Sequence, residues 1–218
     1  MEKIIIIGSG GHASVIIDIV EKSKKYSIYG LVDSFLPPHS IKYGYEIIGD
    51  ESVILEKNEE IHGGIVAIGD NWIRKKIVEK IRLLVPNFKF VSAIHPSAVI
   101  SDYSKIGDGT VVMGGAIINN NTQIGDQCII NTNSSIGHDC IIGNYVSIAP
   151  GSTLGGNTKV GDVTAISLGA KVIHSIQIGE HTVIGAGSTV LSDIDSYKLA
   201  YGTPAKIIRS RTKGERYL

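Results

Sequence analysis

The chain of 218 residues is poor in cysteine, has no excess charge of either sign and contains no long apolar run. Its two cysteines, Cys128 and Cys140, fit packing thiols in a reducing compartment better than a disulfide framework. The 21 Lys and Arg residues balance 21 Asp and Glu, so no net field attracts nucleic acid or a membrane surface. No segment reaches the roughly 18 apolar residues of a membrane span, and Ile4 to Ile7 is too short for a signal peptide. We therefore expect a cytoplasmic protein with no nucleic-acid partner and no membrane insertion.

Several motifs that mark common catalytic sites are also missing. The sequence has no Gly-x-Ser-x-Gly elbow, no His-Glu-x-x-His pair and no cysteine cluster with zinc-ligand spacing. These absences argue against a serine hydrolase of the elbow type and against a zinc enzyme. We expect no metal cofactor.

Glycine is abundant, with 26 residues, and the second half of the chain has a period of six. From Ile94 to Val190 every sixth residue is Ile, Val or Leu, giving seventeen anchor positions, and a small residue usually precedes each anchor by two. Such hexapeptide repeats are typical of a parallel β-helix, with three hexapeptides per coil and five to six coils here. The anchors should fill the interior, and the glycines that follow many anchors should tolerate strained turns. The general rule for parallel crossovers favours a right-handed path.

The first 91 residues follow a different pattern, in which short apolar strands alternate with helical segments. We predict strands at 3–7, 27–32, 64–68 and 88–91. Between them we predict a helix carrying Val15, Ile16, Ile19 and Val20, a short helix at 51–55, and a helix carrying Ile73, Ile77, Ile81 and Leu84. Residues 37–45 read as a polar loop. Alternation of strand and helix predicts a small Rossmann-like parallel sheet in residues 1–91, followed by the β-helix domain in 92–218.

A glycine-rich turn follows the first strand. Gly8, Gly10 and Ala13 match the looser dinucleotide fingerprint, and Asp33 follows about twenty residues later. Glycines allow a diphosphate to approach the backbone, the helix N-terminus offers N–H groups, and Asp33 could accept from a sugar hydroxyl. The domain lacks the second half that would hold a nicotinamide nucleotide, so a mononucleotide diphosphate fits better. A purely structural turn is the alternative.

Of the seven histidines, His138 stands out by its position in the middle of the repeats. It follows the segment that begins at Asn131 and is itself followed by Asp139, which could orient or support an imidazolium. A neutral imidazole near pH 7 is the standard proton acceptor. We predict that His138 is catalytic and that it lies near a face edge, where a neighbouring subunit could meet it.

The combination of motifs resembles a known family. The stretches that carry the resemblance are Gly8–His12, Ala67–Arg74, Ile94–Pro96, Gly137–Cys140 and Tyr201–Lys206. Together they are similar to the PglD-type and NeuD-type sugar acyltransferases, within the hexapeptide-repeat acyltransferases. The resemblance implies a left-handed β-helix, a homotrimer, acetyl-CoA bound along the crevice between adjacent coils, and a nucleotide sugar held by the N-terminal domain.

The resemblance also implies roles for individual residues. His138 matches the general base and Asp139 its acidic neighbour. Substrate contacts are implied for Gly10, Gly11, His12, Asp33, Ser34, Gly69 and Asn131. Co-substrate contacts are implied for Ser147, Gly156, Leu168, Ala186 and Gly187, with the Gly156 amide near the thioester carbonyl. Two positions depart from the family pattern: Ser147 stands where some members have a second histidine, and Ser167 stands where glycine is usual.

These features predict an acetyl-CoA-dependent N-acetyltransferase that acts on a nucleotide-linked 4-amino-4,6-dideoxy sugar, most simply a UDP sugar. The amine would attack the thioester directly while His138 takes its proton. An O-acetyltransferase of sialic acid or a related sugar is the alternative. A non-catalytic nucleotide-binding scaffold is a third possibility, against which the Gly137-His138-Asp139 stretch argues.

Overall fold

The computed structural model describes residues 1–216 and consists of two compact units. Unit 1 contains residues 1–69 and 73–96, and unit 2 contains residues 70–72 and 97–216. The predicted domain boundary, between residues 91 and 92, falls shortly before this division. No helix within residues 1–216 is long and apolar enough to cross a bilayer.

Unit 1 is built on a five-stranded sheet. Its strands are β1 (Glu2–Ile7), β2 (Tyr26–Val32), β3 (Ile41–Lys42), β4 (Tyr45–Gly49) and β5 (Gly63–Val66), in the spatial order β3-β4-β2-β1-β5. The apolar run of β1 is buried from Ile4 to Ile7, as expected for a central parallel strand. Strand β1 pairs in parallel with β2 on one side and β5 on the other. The connections therefore diverge at β1, and this switch point opens a crevice at the carboxyl ends of β1 and β5. The predicted Rossmann-like sheet is confirmed.

Three helices accompany the strands: α1 (Gly11–Ser23), α2 (Val53–Lys57) and α3 (Asn71–Leu84). Helix α1 buries Ile16, Ile19 and Val20 as predicted, but Val15 is exposed. The predicted apolar face of α3 is partly wrong. Arg74 and Val78 are buried beside Ile81, whereas Leu84 is exposed, because the packed stripe is rotated by one residue.

The segment predicted as a polar loop contains a hairpin that sequence reasoning missed. Strands β3 and β4 are antiparallel, with Lys42 opposite Tyr45. The two residues between them, Tyr43 and Gly44, both have positive φ, at 52° and 82°. This is the backbone that a two-residue hairpin turn requires, and glycine at its second position is the available signal. The predicted strand at 88–91 is wrong in turn: only a single bridge joins Phe90 to Gly64.

All seventeen anchors end two-residue strands, β6 to β22. Strand β6 (Ala93–Ile94) closes unit 1, and the others form the three faces of the coil in unit 2. Face A contains β7 (Val99–Ile100), β10 (Ile117–Ile118), β13 (Ser135–Ile136), β16 (Thr153–Leu154), β19 (Lys171–Val172) and β22 (Thr189–Val190). Face B contains β8 (Lys105–Ile106), β11 (Gln123–Ile124), β14 (Ile141–Ile142), β17 (Lys159–Val160) and β20 (Gln177–Ile178). Face C contains β9 (Val111–Val112), β12 (Ile129–Ile130), β15 (Ser147–Ile148), β18 (Ala165–Ile166), β21 (Val183–Ile184) and the terminal hairpin β23 (Lys198–Gly202) and β24 (Ala205–Ser210).

The interior follows the predicted pattern. Anchors such as Ile130 and Ile136 are fully buried, and so are the small residues that precede them by two. Those small residues also connect the coils: the Thr122 hydroxyl donates to the Gly137 carbonyl at 2.7 Å, and the Cys140 thiol donates to the next coil in the same way. Paired strands are eighteen residues apart, as in Ile118 and Ile136. The interior is therefore a stack of hydrophobic layers joined by regularly repeated side-chain hydrogen bonds.

The prediction for the glycines after the anchors is wrong. The strained backbone lies three residues after the anchor instead, at Asn121, Asp139 and Asn157, whose φ values are 58°, 56° and 59°. Asn and Asp are the residues other than glycine that adopt this left-handed conformation most readily. The glycine after the anchor is needed for space, because a Cβ at Gly137 would lie 2.5 Å from the Gly156 nitrogen of the next coil.

The coil is a left-handed parallel β-helix, which the general right-handed rule did not predict. That rule arises from the twist of strands that feed a helical crossover. Strands of two residues are too short to accumulate such a twist, so the cause of the rule is absent here. At the end of the coil, β23 pairs in parallel with β21. Residues 201–206 form the tip of the terminal hairpin, in which Thr203 and Pro204 connect β23 to β24.

Candidate active site

A groove of about 660 Å³ occupies the switch point of unit 1. The loop after β1, the start of α1, the end of β2 and the loop after β5 form its walls. It brings together six of the predicted substrate-binding residues, namely Gly10, Gly11, His12, Asp33, Ser34 and Gly69. Their assignment to a substrate stays a prediction, but they share one cavity.

At the glycine-rich loop, the surface of this groove is formed mainly by backbone atoms, because Gly8, Gly10 and Gly11 have no side chains. Gly8 has φ 103°, and a Cβ there would lie 3.1 Å from the Ala67 carbonyl oxygen. Gly10 is the N-cap of α1, and no side chain caps the helix. A Cβ on Gly11 would meet nothing within 4 Å. The first turn of α1 therefore opens onto the groove, where the helix dipole and N–H groups favour an anion.

Asp33 fixes the shape of this loop. Its Oδ2 accepts from the backbone N–H and the hydroxyl of Ser9, at 3.1 and 2.6 Å, and its Oδ1 accepts from the Phe35 N–H. Desolvation acts to raise the pKa of Asp33, but the hydrogen bonds from Ser9 and from the backbone outweigh it, so that pKa is lowered. The ionised Asp33 carboxylate thus connects the end of β2 to the glycine loop through its hydrogen bonds with Ser9. Its predicted contact with a sugar hydroxyl would use the lone pairs that remain.

Two residues of the groove, Glu51 and Lys80, were missed by sequence reasoning. Glu51 is buried, and its Oε2 accepts from the Ser34 hydroxyl at 2.7 Å and from the Lys80 ammonium at 2.9 Å. Phe35, at the rim, is 94% exposed. No motif marks these residues. The one available signal is that Lys80 follows Ile73 and Ile77 at helical spacing.

His12 is half-buried beside the charge of Arg74. Desolvation, and then the Arg74 guanidinium, lower the pKa of His12 from 6.5 to about 4. Arg74 itself donates to the carbonyls of Ile68 and Gly69, at 2.8 and 3.0 Å. His12 is therefore neutral at pH 7. Within residues 1–216 its Nε2 atom has no hydrogen-bond partner, and His12 lines the groove.

The lowered pKa of His12 predicts acid sensitivity. Because the unfolded chain binds a proton near pH 6.5 and the folded chain near pH 4, stability should fall as pH drops through this interval, by on the order of 3 kcal/mol. We expect His12→Asn to flatten this part of the curve of unfolding free energy against pH. His39→Asn is the control, because His39 is exposed. Equal slopes for wild type and His12→Asn would refute the assignment.

His138 lies at the turn between faces A and B, which we call edge AB (residues 101–104 and each equivalent turn). Its Nδ1 is 2.7 Å from Asp139 Oδ2, and Asp139 Oδ1 accepts from the Asn121 side-chain amide at 2.6 Å. The Asn121 hydrogen bond, and then the one with His138, lower the pKa of Asp139. An ionised carboxylate only accepts, so the Nδ1 of a neutral His138 carries the hydrogen and its Nε2 bears the lone pair.

The Nε2 atom of His138 points over Gly156, which occupies the same place one coil later. A Cβ on Gly156 would lie 2.5 Å from Nε2, so the imidazole uses the space that a side chain would fill. His174 follows at the same position of the next coil. The basic nitrogen therefore faces a notch whose base is the Gly156 backbone, and the His138 side chain is 61% exposed.

The remaining predicted site residues, which are Asn131 for the substrate and four others for the co-substrate, lie elsewhere on the coil. Asn131, Leu168, Ala186 and Gly187 share the turn between faces C and A, which we call edge CA, and all but Asn131 are exposed. Edges AB and CA border the same face. Ser147 differs: it is buried on face C, and its hydroxyl donates to the Asn71 side chain at 2.6 Å. Its predicted co-substrate contact would have to replace that bond.

Within residues 1–216, no three His, Cys, Asp or Glu side chains lie close enough together to hold a metal ion. The two cysteines are buried thiols that donate to carbonyls of neighbouring coils. Two features of the described residues could therefore take part in chemistry: the His138 imidazole at edge AB and the groove of unit 1, onto which the first turn of α1 opens.

Comparison with known proteins points to sugar acetyltransferases. Residues 3–81 match the PglD N-terminal domain, and residues 121–156 match the bacterial transferase hexapeptide (six repeats). A curated relative, UDP-N-acetylbacillosamine N-acetyltransferase of Bacillus subtilis (strain 168), is 36% identical over 116 residues. That alignment covers 52% of this chain and 52% of the relative, so the chain spans about half the length of the curated relative it matches.

Solved structures are similar over nearly the whole chain. A mutant of perosamine N-acetyltransferase from Caulobacter crescentus, in complex with CoA and GDP-perosamine, is 36% identical, with a TM-score of 0.89 over 96% of this chain and 98% of that one. The acetyltransferase domain of PglB from Neisseria gonorrhoeae FA1090, in complex with acetyl coenzyme A, is 32% identical, with a TM-score of 0.86 over 95% and 99%.

Proposed function

Since this chain belongs to the PglD-type family of hexapeptide-repeat sugar acetyltransferases, we propose that it transfers the acetyl group of acetyl-CoA to the amine of a nucleotide-linked sugar. The relatives act on UDP- and GDP-linked amino sugars. We further propose a 4-amino-4,6-dideoxy sugar as acceptor, most simply UDP-linked. The observation that supports a catalytic role is the position of the His138 Nε2 atom, which faces the backbone of Gly156.

His138 acts as the general base in this proposal. The sugar amine attacks the thioester carbonyl, and Nε2 takes the proton that the nitrogen loses as the new C–N bond forms. Asp139 keeps the hydrogen on Nδ1 and stabilises the imidazolium. The thioester C–S bond then breaks, and the proton held by His138 returns to the departing sulfur. Gly156 leaves room for the carbonyl, and its N–H is the proposed oxyanion donor.

The groove of unit 1 holds the nucleotide in the same proposal. The diphosphate is assigned to the first turn of α1, at Gly10 and Gly11, where the absence of side chains permits close approach. A neutral His12 adds a hydrogen-bonding atom without adding charge. Holding the two substrates in fixed orientation supplies much of the rate.

The test is a thiol-release assay with acetyl-CoA and a panel of acceptors. The acceptors are UDP-, dTDP- and GDP-linked 4-amino-4,6-dideoxy sugars and free sialic acid. We expect CoA release with a nucleotide-linked amino sugar and an N-acetylated product by mass spectrometry. Release with sialic acid alone would replace the proposal with the O-acetyltransferase alternative. If none of these acceptors causes CoA release, the remaining alternative is a non-catalytic nucleotide-binding scaffold.

Substitution of Gly11 by valine should separate the two substrates. The protein has room for the new side chain, because a Cβ there meets nothing within 4 Å. The valine would instead occupy the place of the diphosphate, so we expect the KM for the sugar nucleotide to rise about tenfold or more while the KM for acetyl-CoA stays within about twofold. Steady-state kinetics measures both. Equal loss for both substrates would contradict the separate assignment.

We propose that the active form is a homotrimer. The His138 side chain is 61% exposed on one wall, and face A presents apolar residues such as Val99 and Ile117 to solvent. A neighbouring coil would supply the second wall. Light scattering should return about 70 kDa, three times the chain mass of 23.3 kDa. A monomer with full activity would refute the intersubunit site.

The cytoplasm is the proposed location. Both cysteines are buried and neither is joined in a disulfide, which fits a reducing compartment.

A further inference from the structure

One end of the groove in unit 1 is built differently from the end that carries the glycine loop. Along α3, Ile73, Ile77 and Lys80 line the groove on successive turns. At 1.5 Å per residue, Lys80 lies about 10 Å beyond Ile73 along the helix axis. This distance is comparable with the span from a diphosphate to the far edge of its nucleobase. We call this part of the groove the Lys80 end, defined by Ser34, Phe35, Glu51, Ile77 and Lys80.

The Lys80 end offers hydrogen-bond donors held by a buried carboxylate. Glu51 is 7% exposed, and its Oε2 accepts from both the Ser34 hydroxyl and Lys80 Nζ. Two hydrogens of the Lys80 ammonium remain for other acceptors. Desolvation acts to raise the pKa of Glu51, but hydrogen bonds from Ser34 and Lys80 outweigh it and lower that pKa. Glu51 is thus ionised and keeps Lys80 in place.

The walls beside these donors are apolar. Ile77 lines the groove from α3, and Phe35 lines it from the loop after β2, where its side chain is 94% exposed. An exposed phenylalanine beside an apolar slot suits a flat ring, which it can stack upon. A slot with apolar walls and a donor at its end fits a nucleobase whose edge presents an acceptor.

We propose that the Lys80 end is the nucleobase subsite and that Lys80 makes it selective for keto bases. Lys80 donates to the exocyclic keto oxygen of uracil, thymine or guanine. Cytosine and adenine present an amino group at the equivalent position, and two donors then face each other. The inference rests on the proposed function for the presence of a nucleotide, and adds which bases are accepted and which residue selects them.

Matched ligand pairs test this selection. UDP and CDP differ only in the keto or amino group and the adjoining ring nitrogen, and IDP and ADP differ in the same way among purines. Calorimetry on the full chain should give UDP and IDP at least about tenfold tighter binding than their amino partners, because a hydrogen bond to a charged donor is replaced by a repulsive contact. Lys80→Met should reduce both ratios to within about twofold of one.

Lys22→Met provides the control. Lys22 has nearly the same side-chain exposure as Lys80, 53% against 54%, and a similar ion pair, to Asp18 at 2.8 Å, but it does not line the groove. This variant should keep both ratios. Melting curves verify that all proteins are folded.

Three outcomes would overturn the inference. Equal binding of UDP and CDP by wild type, or an unchanged preference in Lys80→Met, refutes the role of Lys80. If acetyl transfer to a nucleotide sugar still proceeds, the proposed function survives that result. If no nucleoside diphosphate binds and no acceptor in the thiol-release assay reacts, the nucleotide-sugar proposal fails with it.

Discussion

Replacing His138 by alanine is expected to lower kcat by roughly 10²- to 10⁴-fold, the usual range for losing a positioned proton acceptor. Either KM should change little, because the imidazole acts on a proton that moves only during reaction. Part of the loss should recover at high pH, where solvent can take the amine proton after attack. Steady-state kinetics from pH 6 to 9 would measure both effects.

Two further variants sharpen this prediction. Asp139→Asn should cost less than His138→Ala, because it removes a charge that supports the base and leaves the base itself. Asparagine also tolerates the left-handed backbone of residue 139, where φ is 56°. His174→Ala is the control: it removes another exposed histidine of edge AB, two coils away, and should leave kcat nearly unchanged. Wild-type rates from His138→Ala would require a direct, water-assisted mechanism.

The second large effect is expected at Gly156, where alanine should lower kcat by about 10²-fold or more. The new methyl carbon would lie 2.5 Å from His138 Nε2, so the imidazole must turn away from the notch. A side chain that can rotate relieves the clash cheaply, and the melting temperature should therefore change little. Loss of activity with unchanged stability identifies a positioning effect.

A double-mutant cycle distinguishes this explanation from a second, independent role of Gly156. If alanine at 156 acts by displacing His138, the pair His138→Ala and Gly156→Ala should be about as slow as His138→Ala alone. Multiplied losses would instead show that the Gly156 backbone contributes separately, as an oxyanion donor would. Wild-type kcat from Gly156→Ala would contradict the geometry of the notch.

The coil was predictable because its physics is local and repeated. Each anchor fills one layer of the interior, so seventeen positions at a fixed spacing predict seventeen strands. The glycine prediction failed because the role of these glycines depends on contacts with the next coil, such as the one between Gly137 and the nitrogen of Gly156, nineteen residues later. The left-handed backbone at Asp139 is visible in the sequence only as a preference for Gly, Asn and Asp at that position of the repeat.

The groove was predicted at its glycine end and missed at its Lys80 end for a similar reason. Gly10 and Asp33 belong to a motif in which neighbouring residues share one ligand. Glu51 and Lys80 are 29 residues apart and meet only because α3 and the turn before α2 flank the same crevice. Ser147 was assigned by alignment with a histidine of relatives, but its hydroxyl is used by Asn71. A residue's partners depend on the folded surroundings, which a motif does not encode.

Because each coil contains eighteen residues, equivalent positions on the β-helix are separated by a fixed distance along its axis. Along edge CA, the positions equivalent to Thr132 recur at 150, 168 and 186, so Ala186 lies three coils from the level of His138, about 14 Å at ~4.8 Å per coil. A flexible arm gripped at Ala186 would deliver its end to His138 only if its length suits that span. Inserting one more coil between Ala186 and His138 would lengthen the distance between them by ~4.8 Å. Inserting fewer than eighteen residues would move one of the two residues to a different face of the coil. If the co-substrate binds as proposed, the length of its arm must match a whole number of coils.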